Sequence, residues 1–263
     1  MGGRVNDDTL TNLRIKVCNF DLSELNNLVF IPNKMEVIPV NAVLDSVSLV
    51  INGVADAPII ESNIDVRGLR YEGLSIGNFV ASVHYENENI SGEASIKSLG
   101  KDLFSLDIRA IPLYLGLDTA KPLIIDTKPM DISIIINDLQ AGLFTPFIPS
   151  VDNINGKLKG ALNIGGYLPD KYEYTGNISF DNLQFRIEPI NMRYSAFGGA
   201  DIKTGLIEFS QLKIKNMYDD LKNGEMILNG KVELAQTDIK QIDISAVSNN
   251  FMILSDKTEV SMP

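Results

Sequence analysis

The feature that most constrains this chain is a long internal repeat. Asp21-Leu22 returns as Asp138-Leu139 and Phe30-Ile31-Pro32 as Phe147-Ile148-Pro149, both 117 positions further on. Asn63-Ile64-Asp65-Val66-Arg67-Gly68-Leu69-Arg70-Tyr71 returns as Asn177-Ile178-Ser179-Phe180-Asp181-Asn182-Leu183-Gln184-Phe185, now 114 positions on. A repeated order of strand, short helical piece, glycine-punctuated strand, turn and strand predicts stacked units that share a core with their neighbours, not a compact catalytic domain. The boundaries are a ragged start over 1–12, a first repeat over 13–129 and a second over 130–263.

Within each repeat, apolar residues alternate with polar ones. From Ile154 to Ile164 the even positions are apolar or glycine, and Phe104, Leu106, Ile108 and Ala110 keep the same period, as do Met226, Leu228, Gly230, Val232 and Leu234. Period two is the signature of a strand with one wet face. Strands are predicted at 13–20, 46–53, 59–67, 74–85, 91–97, 130–137, 172–181, 183–194, 206–215 and 239–248. Asn52-Gly53, Ala57-Pro58, Gly165-Gly166, Leu168-Pro169-Asp170, Gly198-Gly199 and Asn223-Gly224 read as turns. No segment supplies a crossover helix for a parallel sheet, so the fold is all-β, mainly antiparallel, in an elongated curved sheet with two short helices.

Those helices follow Asp21 and Asp138, each placed to cap a first turn. Leu22, Leu25, Leu28 and Val29 share one helical face, as do Leu139, Leu143, Phe144 and Phe147; each piece is a plug on the sheet or a lid in a groove. The apolar register flips at Arg67-Gly68 and again at Asp181-Asn182, where a residue tolerant of positive φ is at hand. A β-bulge or a tight corner in the same strand of each repeat accounts for both.

The chemistry of an enzyme is missing. The chain has one His, one Cys and no Trp among 263 residues, so a nucleophile triad or a zinc site has too few donors. His84 reads as a solvent-face strand residue and Cys18 as a plain half-buried thiol. Glu86-Asn87-Glu88-Asn89 and Asp219-Asp220 lack the spacing of a calcium loop and read as hairpin tips. No cofactor is expected. A net charge of −11 argues against nucleic acid, which needs a basic stripe, and against an anionic membrane surface. No run of 18 apolar residues and no signal-peptide core is present, and the chain reads as an excised internal piece.

The run Asn155-Gly156-Lys157-Leu158-Lys159-Gly160-Ala161-Leu162-Asn163-Ile164-Gly165-Gly166-Tyr167-Leu168-Pro169, followed by Tyr174-Thr175-Gly176-Asn177-Ile178, resembles the repeat of the TamB and AsmA-like envelope proteins. Leu49 to Pro58 looks like a weaker copy, and the resemblance extends over nearly the whole chain. It implies a periplasmic segment of a protein anchored in the inner membrane by a part outside this chain. The sheet would form a taco-like, repeating β-groove with an apolar concave face. The implied work is phospholipid transport between membranes, assembly of outer-membrane proteins, or both. The implied partners are a phospholipid or other amphiphile and an outer-membrane β-barrel assembly protein.

An open sheet with one apolar face must curl, pair with a second sheet or take up an amphiphile. The residues expected to line such a groove are Phe104, Leu106, Leu158, Leu162, Ile164, Ile178, Phe180, Leu228, Val232 and Leu234. The alternative is a structural or adhesive β-repeat of an exported surface protein, in which the same residues interlock as a solid core. A polysaccharide-active β-protein is disfavoured by the lack of Trp and by aromatics at 7%.

Overall fold

A computed structural model describes residues 4–6, 9–11, 13–27, 40–71, 73–148, 150–217, 224–235 and 238–252. The first Phe-Ile-Pro, Leu28, Val29, Pro149 and Asp219-Asp220 lie outside the described residues. The protein is all-β and mainly antiparallel. Its strands are β1 (Arg4–Asn6), β2 (Thr9–Thr11), β3 (Leu13–Asp21), β4 (Val40–Val54), β5 (Ala57–Tyr71), β6 (Leu74–Glu86), β7 (Asn89–Ser98) and β8 (Lys101–Pro112). They continue as β9 (Met130–Gln140), β10 (Val151–Tyr167), β11 (Lys171–Ile187), β12 (Met192–Lys203), β13 (Leu206–Asn216), β14 (Glu225–Ala235) and β15 (Asp238–Asn249). Short 3-10 helices cover Leu22–Asn27, Ala141–Phe147 and Glu188–Ile190.

The chain forms two compact units, Met1–Ile135 with Asn163–Glu173, and Ile136–Leu162 with Tyr174–Pro263. In the first, the sheet order is β1-β2-β4-β5-β6-β7-β8, with β3 also paired to β4. In the second, β9 (from Ile136) and β10 lead into β11-β12-β13-β14-β15. Most sequential strands are joined by tight hairpins and pair, while β2 pairs with β4, and longer connections lead from β8 to β9 and from β9 to β10.

The repeated register flip is a bulge in both units. Pairing of β5 with β6 slips between Val66 and Leu69, and that of β11 with β12 between Phe180 and Leu183. Gly68 (φ 64°) and Asn182 (φ 54°) take the left-handed conformation there.

Three local expectations are corrected. The stretch 183–194 is not strand to its end: β11 runs through the bulge and stops at Ile187, and the turn falls at the 3-10 helix carrying Pro189. Gly198-Gly199 is strand, not turn. A Cβ on Gly199 would run into the Ile178 carbonyl oxygen, so glycine is there for close strand approach. Asp21 does cap its helix, accepting from the Ser23 N–H at 2.9 Å. Asp138 does not, because it sits in β9 at φ 57° with Lys157 and Lys159 as partners. Leu139 accordingly belongs to the strand, and Phe144 is exposed.

Candidate functional site

Register converts alternation into continuous rows. In the first unit, four rows cross β3 to β8 on one face. They read Leu13-Ile51-Ile60-Tyr85-Ile90-Ile111, Ile15-Leu49-Ser62-Val83-Gly92-Ile108, Val17-Val47-Ile64-Ala81-Ala94-Leu106 and Phe20-Leu44-Val66-Phe79-Ile96-Phe104. Only Ser62 and the hydroxyl of Tyr85 bring polar groups into them. Side chains directly opposite on antiparallel strands share a face, so this is one apolar surface six strands wide. Phe104 and Leu106 lie on it. At about 3.4 Å per residue, the four rows span roughly 20 Å along the strands.

The other face reads Lys16-Ser48-Asn63-Ser82-Glu93-Asp107 and Cys18-Ser46-Asp65-Val80-Ser95-Ser105. Cys18 is exposed there rather than half-buried, since β3 is an edge strand and its apolar side belongs to Val17. His84 lies on the same polar side, 3.4 Å from Glu86. A concavity of about 660 Å³ opens on this face beside Asn63, Asp65, Ser82, Glu93, Ser95 and Lys97. Its lining mixes hydroxyl, amide and charged groups with the aliphatic Val80, Ala81 and Ala94.

What covers the apolar face of the first unit is slight. Among the described residues of this unit, the elements in substantial contact are sheet neighbours, apart from the first 3-10 helix on β4. One end is closed by the connection 113–129. Tyr85 and Tyr114 are both buried; the Leu115 N–H donates to the Tyr85 hydroxyl at 2.9 Å and the Asp118 N–H to the Tyr114 hydroxyl at 3.2 Å. The Leu117 N–H reaches the Ala55 carbonyl at 3.1 Å, and Lys128 bonds the Asn87 carbonyl and Glu88, each at 3.0 Å. Lys128, with Lys121 behind it, holds the Glu88 carboxyl below its ordinary range.

The second unit has the same kind of face with a different distribution of burial. Its rows include Leu183-Ala196-Ile214-Met226, Ile178-Ala200 and Ile202-Ile207-Val232-Ile242. On β10, Gly160 lies against Ile178, and a Cβ on Gly176 would stand 2.8 Å from Leu162 Cα. At one end the second 3-10 helix comes down: Ala141, Ile154 and Leu158 are buried together, with Ile136, Val151, Ile178, Phe180, Leu183 and Phe185 packed around them. Met192, Tyr194 and Ala196 extend this buried patch. Tyr194 packs on Phe185 and stacks on Phe251, with ring centroids 5.8 and 5.4 Å apart. Buried Asn216 donates to the Met252 carbonyl at 2.8 Å and accepts from the Met252 N–H at 3.0 Å, so one amide satisfies both backbone groups of a returning segment.

Of the ten expected lining residues, Leu158 is buried beneath the helix, with Ile178 and Phe180 against it. Leu162, Leu228, Val232 and Leu234 are half-buried. Ile164 is half-buried in the part of β10 that belongs to the first unit. Sequence reading missed Tyr85, Tyr114, Tyr194 and Asn216, which fasten the end segments. A seventeen-residue connection with two prolines and no alternation was the available signal for the first pair.

On the polar face of the second unit, Lys159 and Lys157 hold the Asp138 carboxyl below its usual range. Arg186 does the same for Asp152, its Nε 2.7 Å from the carboxylate. Among the described residues, no group of His, Cys, Asp and Glu is arranged to hold a metal ion, and no helix is long and apolar enough to cross a membrane. No protein-family model, no curated protein and no solved structure matches this chain.

Proposed function

We propose that this chain is a non-enzymatic, periplasmic segment of a TamB/AsmA-like envelope protein, and that its apolar sheet face shields the acyl chains of a phospholipid or similar amphiphile. The observation carrying this reading is the six-strand apolar surface of the first unit, whose described strands all belong to that one sheet and lay no second sheet across it. Acyl chains satisfy such a surface without directional contacts, which fits rows that offer almost no polar group. A height of roughly 20 Å also accommodates one leaflet's chains, about 15 Å long.

The solid-repeat reading finds its support at the other kind of surface, the cluster of Ala141, Ile154 and Leu158 under the second helix. Native mass spectrometry after incubation with phospholipid vesicles separates the two. A reproducible lipid adduct that disappears when Leu106 and Phe79 are both replaced by Asp, with far-UV dichroism retained, is the expected result. A mass that stays lipid-free under the same conditions overturns the acyl-shielding reading and leaves the solid repeat.

A further inference from the structure

The apolar face of the first unit ends differently on its two sides. Towards Tyr85 it runs into the connection 113–129, where charge is mostly acidic: Asp56, Glu86, Glu88, Asp118 and Asp126 stand against Lys121 and Lys128. Both lysines pair with Glu88. Beyond the row Val66-Phe79-Ile96-Phe104 the sign reverses. Among the described residues of β5 to β8, that end carries Arg67, Arg70, Lys97 and Lys101 against Asp102, in a chain whose net charge is −11. Asp45 pairs with Arg67 at 2.9 Å and Asp102 with Lys97 at 3.4 Å. Arg70 and Lys101 are left, among the described residues, without a carboxylate partner.

Lys101 stands on the apolar face itself. Ser98 lies two residues past Ile96 on β7 and shares its face, and Lys101 is directly opposite Ser98. Past Ile96 and Phe104 the face therefore finishes in a hydroxyl and an exposed ammonium. We propose, resting on the acyl-shielding reading above, that the amphiphile is an anionic phospholipid. Its phosphate sits at Lys101 and Ser98, and its acyl chains run along the strands towards Tyr85. A lysine ammonium attracts phosphate as a point charge, and a serine hydroxyl donates to its oxygens. A zwitterionic head group would bring an ammonium too, and Asp45 and Asp102 are already held by Arg67 and Lys97. At the opposite end the excess of carboxylates repels a phosphate, and the Tyr85 hydroxyl already accepts from the Leu115 N–H. Length agrees: Lys101 to Ile111 covers roughly 30 Å of strand, and a phospholipid in one leaflet needs roughly 20–22 Å.

The test is native mass spectrometry of the whole chain after incubation with vesicles of phosphatidylglycerol, or of phosphatidylcholine with the same acyl chains. Phosphatidylglycerol adducts are expected to exceed phosphatidylcholine adducts at least about fivefold. Lys101→Glu, at an exposed position, should bring phosphatidylglycerol down to the phosphatidylcholine level with far-UV dichroism retained. Lys240→Glu on β15 changes the net charge equally and should leave the preference intact. Orientation is read on the unaltered chain with a phosphatidylglycerol carrying a diazirine at its acyl terminus, whose cross-links are expected on peptides holding Tyr85 or Ile111. Equal adducts of the two lipids, a preference that survives Lys101→Glu, or cross-links confined to 96–104 would each overturn this proposal and leave acyl shielding standing. No adduct with either lipid overturns the acyl-shielding reading, and this proposal with it.

Discussion

The two ends of the second unit's apolar face are built from the same strands and the same kinds of side chain, yet differ in burial. At one end Leu158, Met192, Tyr194 and Ala196 are buried; at the other Leu162, Ile202, Ile207 and Val232 are only half-buried. Strand pattern is not the cause, because alternation is equally clean in both. The difference comes from what returns across the face: the helix that begins at Ala141, and the Phe251-Met252 segment held by Tyr194 and Asn216. Alternation decides which face is apolar, and elements outside the strands decide where that face becomes a core.

Four experiments would break or sharpen this contrast. The largest effect is expected for Met192→Ala, which empties a site that is 1% exposed and should cost about 2–5 kcal/mol in denaturant unfolding. Val232→Ala should cost well under half as much, and equal losses at the two positions would mean that the half-buried end is also a packed core. Asn216→Ala leaves both Met252 backbone groups without their partner. A loss of about 1–3 kcal/mol is expected, and hydrogen exchange at the Met252 amide should quicken while amides of β14 keep their protection. Replacing Leu162 and Val232 together by Asp should leave far-UV dichroism near native and reduce the binding of an apolar fluorescent dye. Unaltered dye binding would show that the half-buried end offers no accessible apolar surface.

The smallest effect concerns pH. Asp138, Asp152 and Glu88 are all depressed by cationic neighbours. Their contribution is therefore complete above the ordinary carboxylate range and is lost as pH falls through the lowered values. The melting temperature should be level between about pH 5 and 8 and decline below about pH 4. Replacing Asp152 by Asn should flatten part of that decline; a decline identical to the unaltered chain's would place its origin elsewhere.

The sheet, its antiparallel sense and both bulges were legible because each leaves a local trace: period two, turn residues, and a parity flip beside Gly68 or Asn182. The fate of Gly198-Gly199 was not legible. A glycine pair serves a turn and a close strand approach alike, and only the neighbouring strand's carbonyl distinguishes them. Asp138 failed as a cap for a related reason, since two lysines on β10, far along the chain, compete for its carboxylate. Of the candidate lining, the face assignments of Phe104, Leu106, Leu158 and Phe180 follow from parity alone. That Leu158 lies under a helix while Val232 lies under no buried cluster depends on tertiary returns, which parity does not encode.

The bulges have a consequence for chain length. A strand with one buried-type face behaves like a text read in two phases, and a bulge is a deliberate frame shift. Deleting Asn182 alone would remove the extra residue and straighten the strand with Leu183 and Phe185 still in phase with Ile178 and Phe180, whereas inserting one residue next to the bulge would turn Leu183 and Phe185 to the face of Lys157 and Lys159 and send Gln184 and Arg186 to the apolar one. A slip of the same kind recurs on β13, where one extra residue beside Gln211 (φ 55°) shifts the register against both β12 and β14. Single-residue insertions and deletions inside β11, β12 or β13, outside the bulges, are therefore frame errors that invert everything downstream in the strand. The connection at 113–129 has no phase to lose, and length can change there without altering which side of the sheet any strand residue faces.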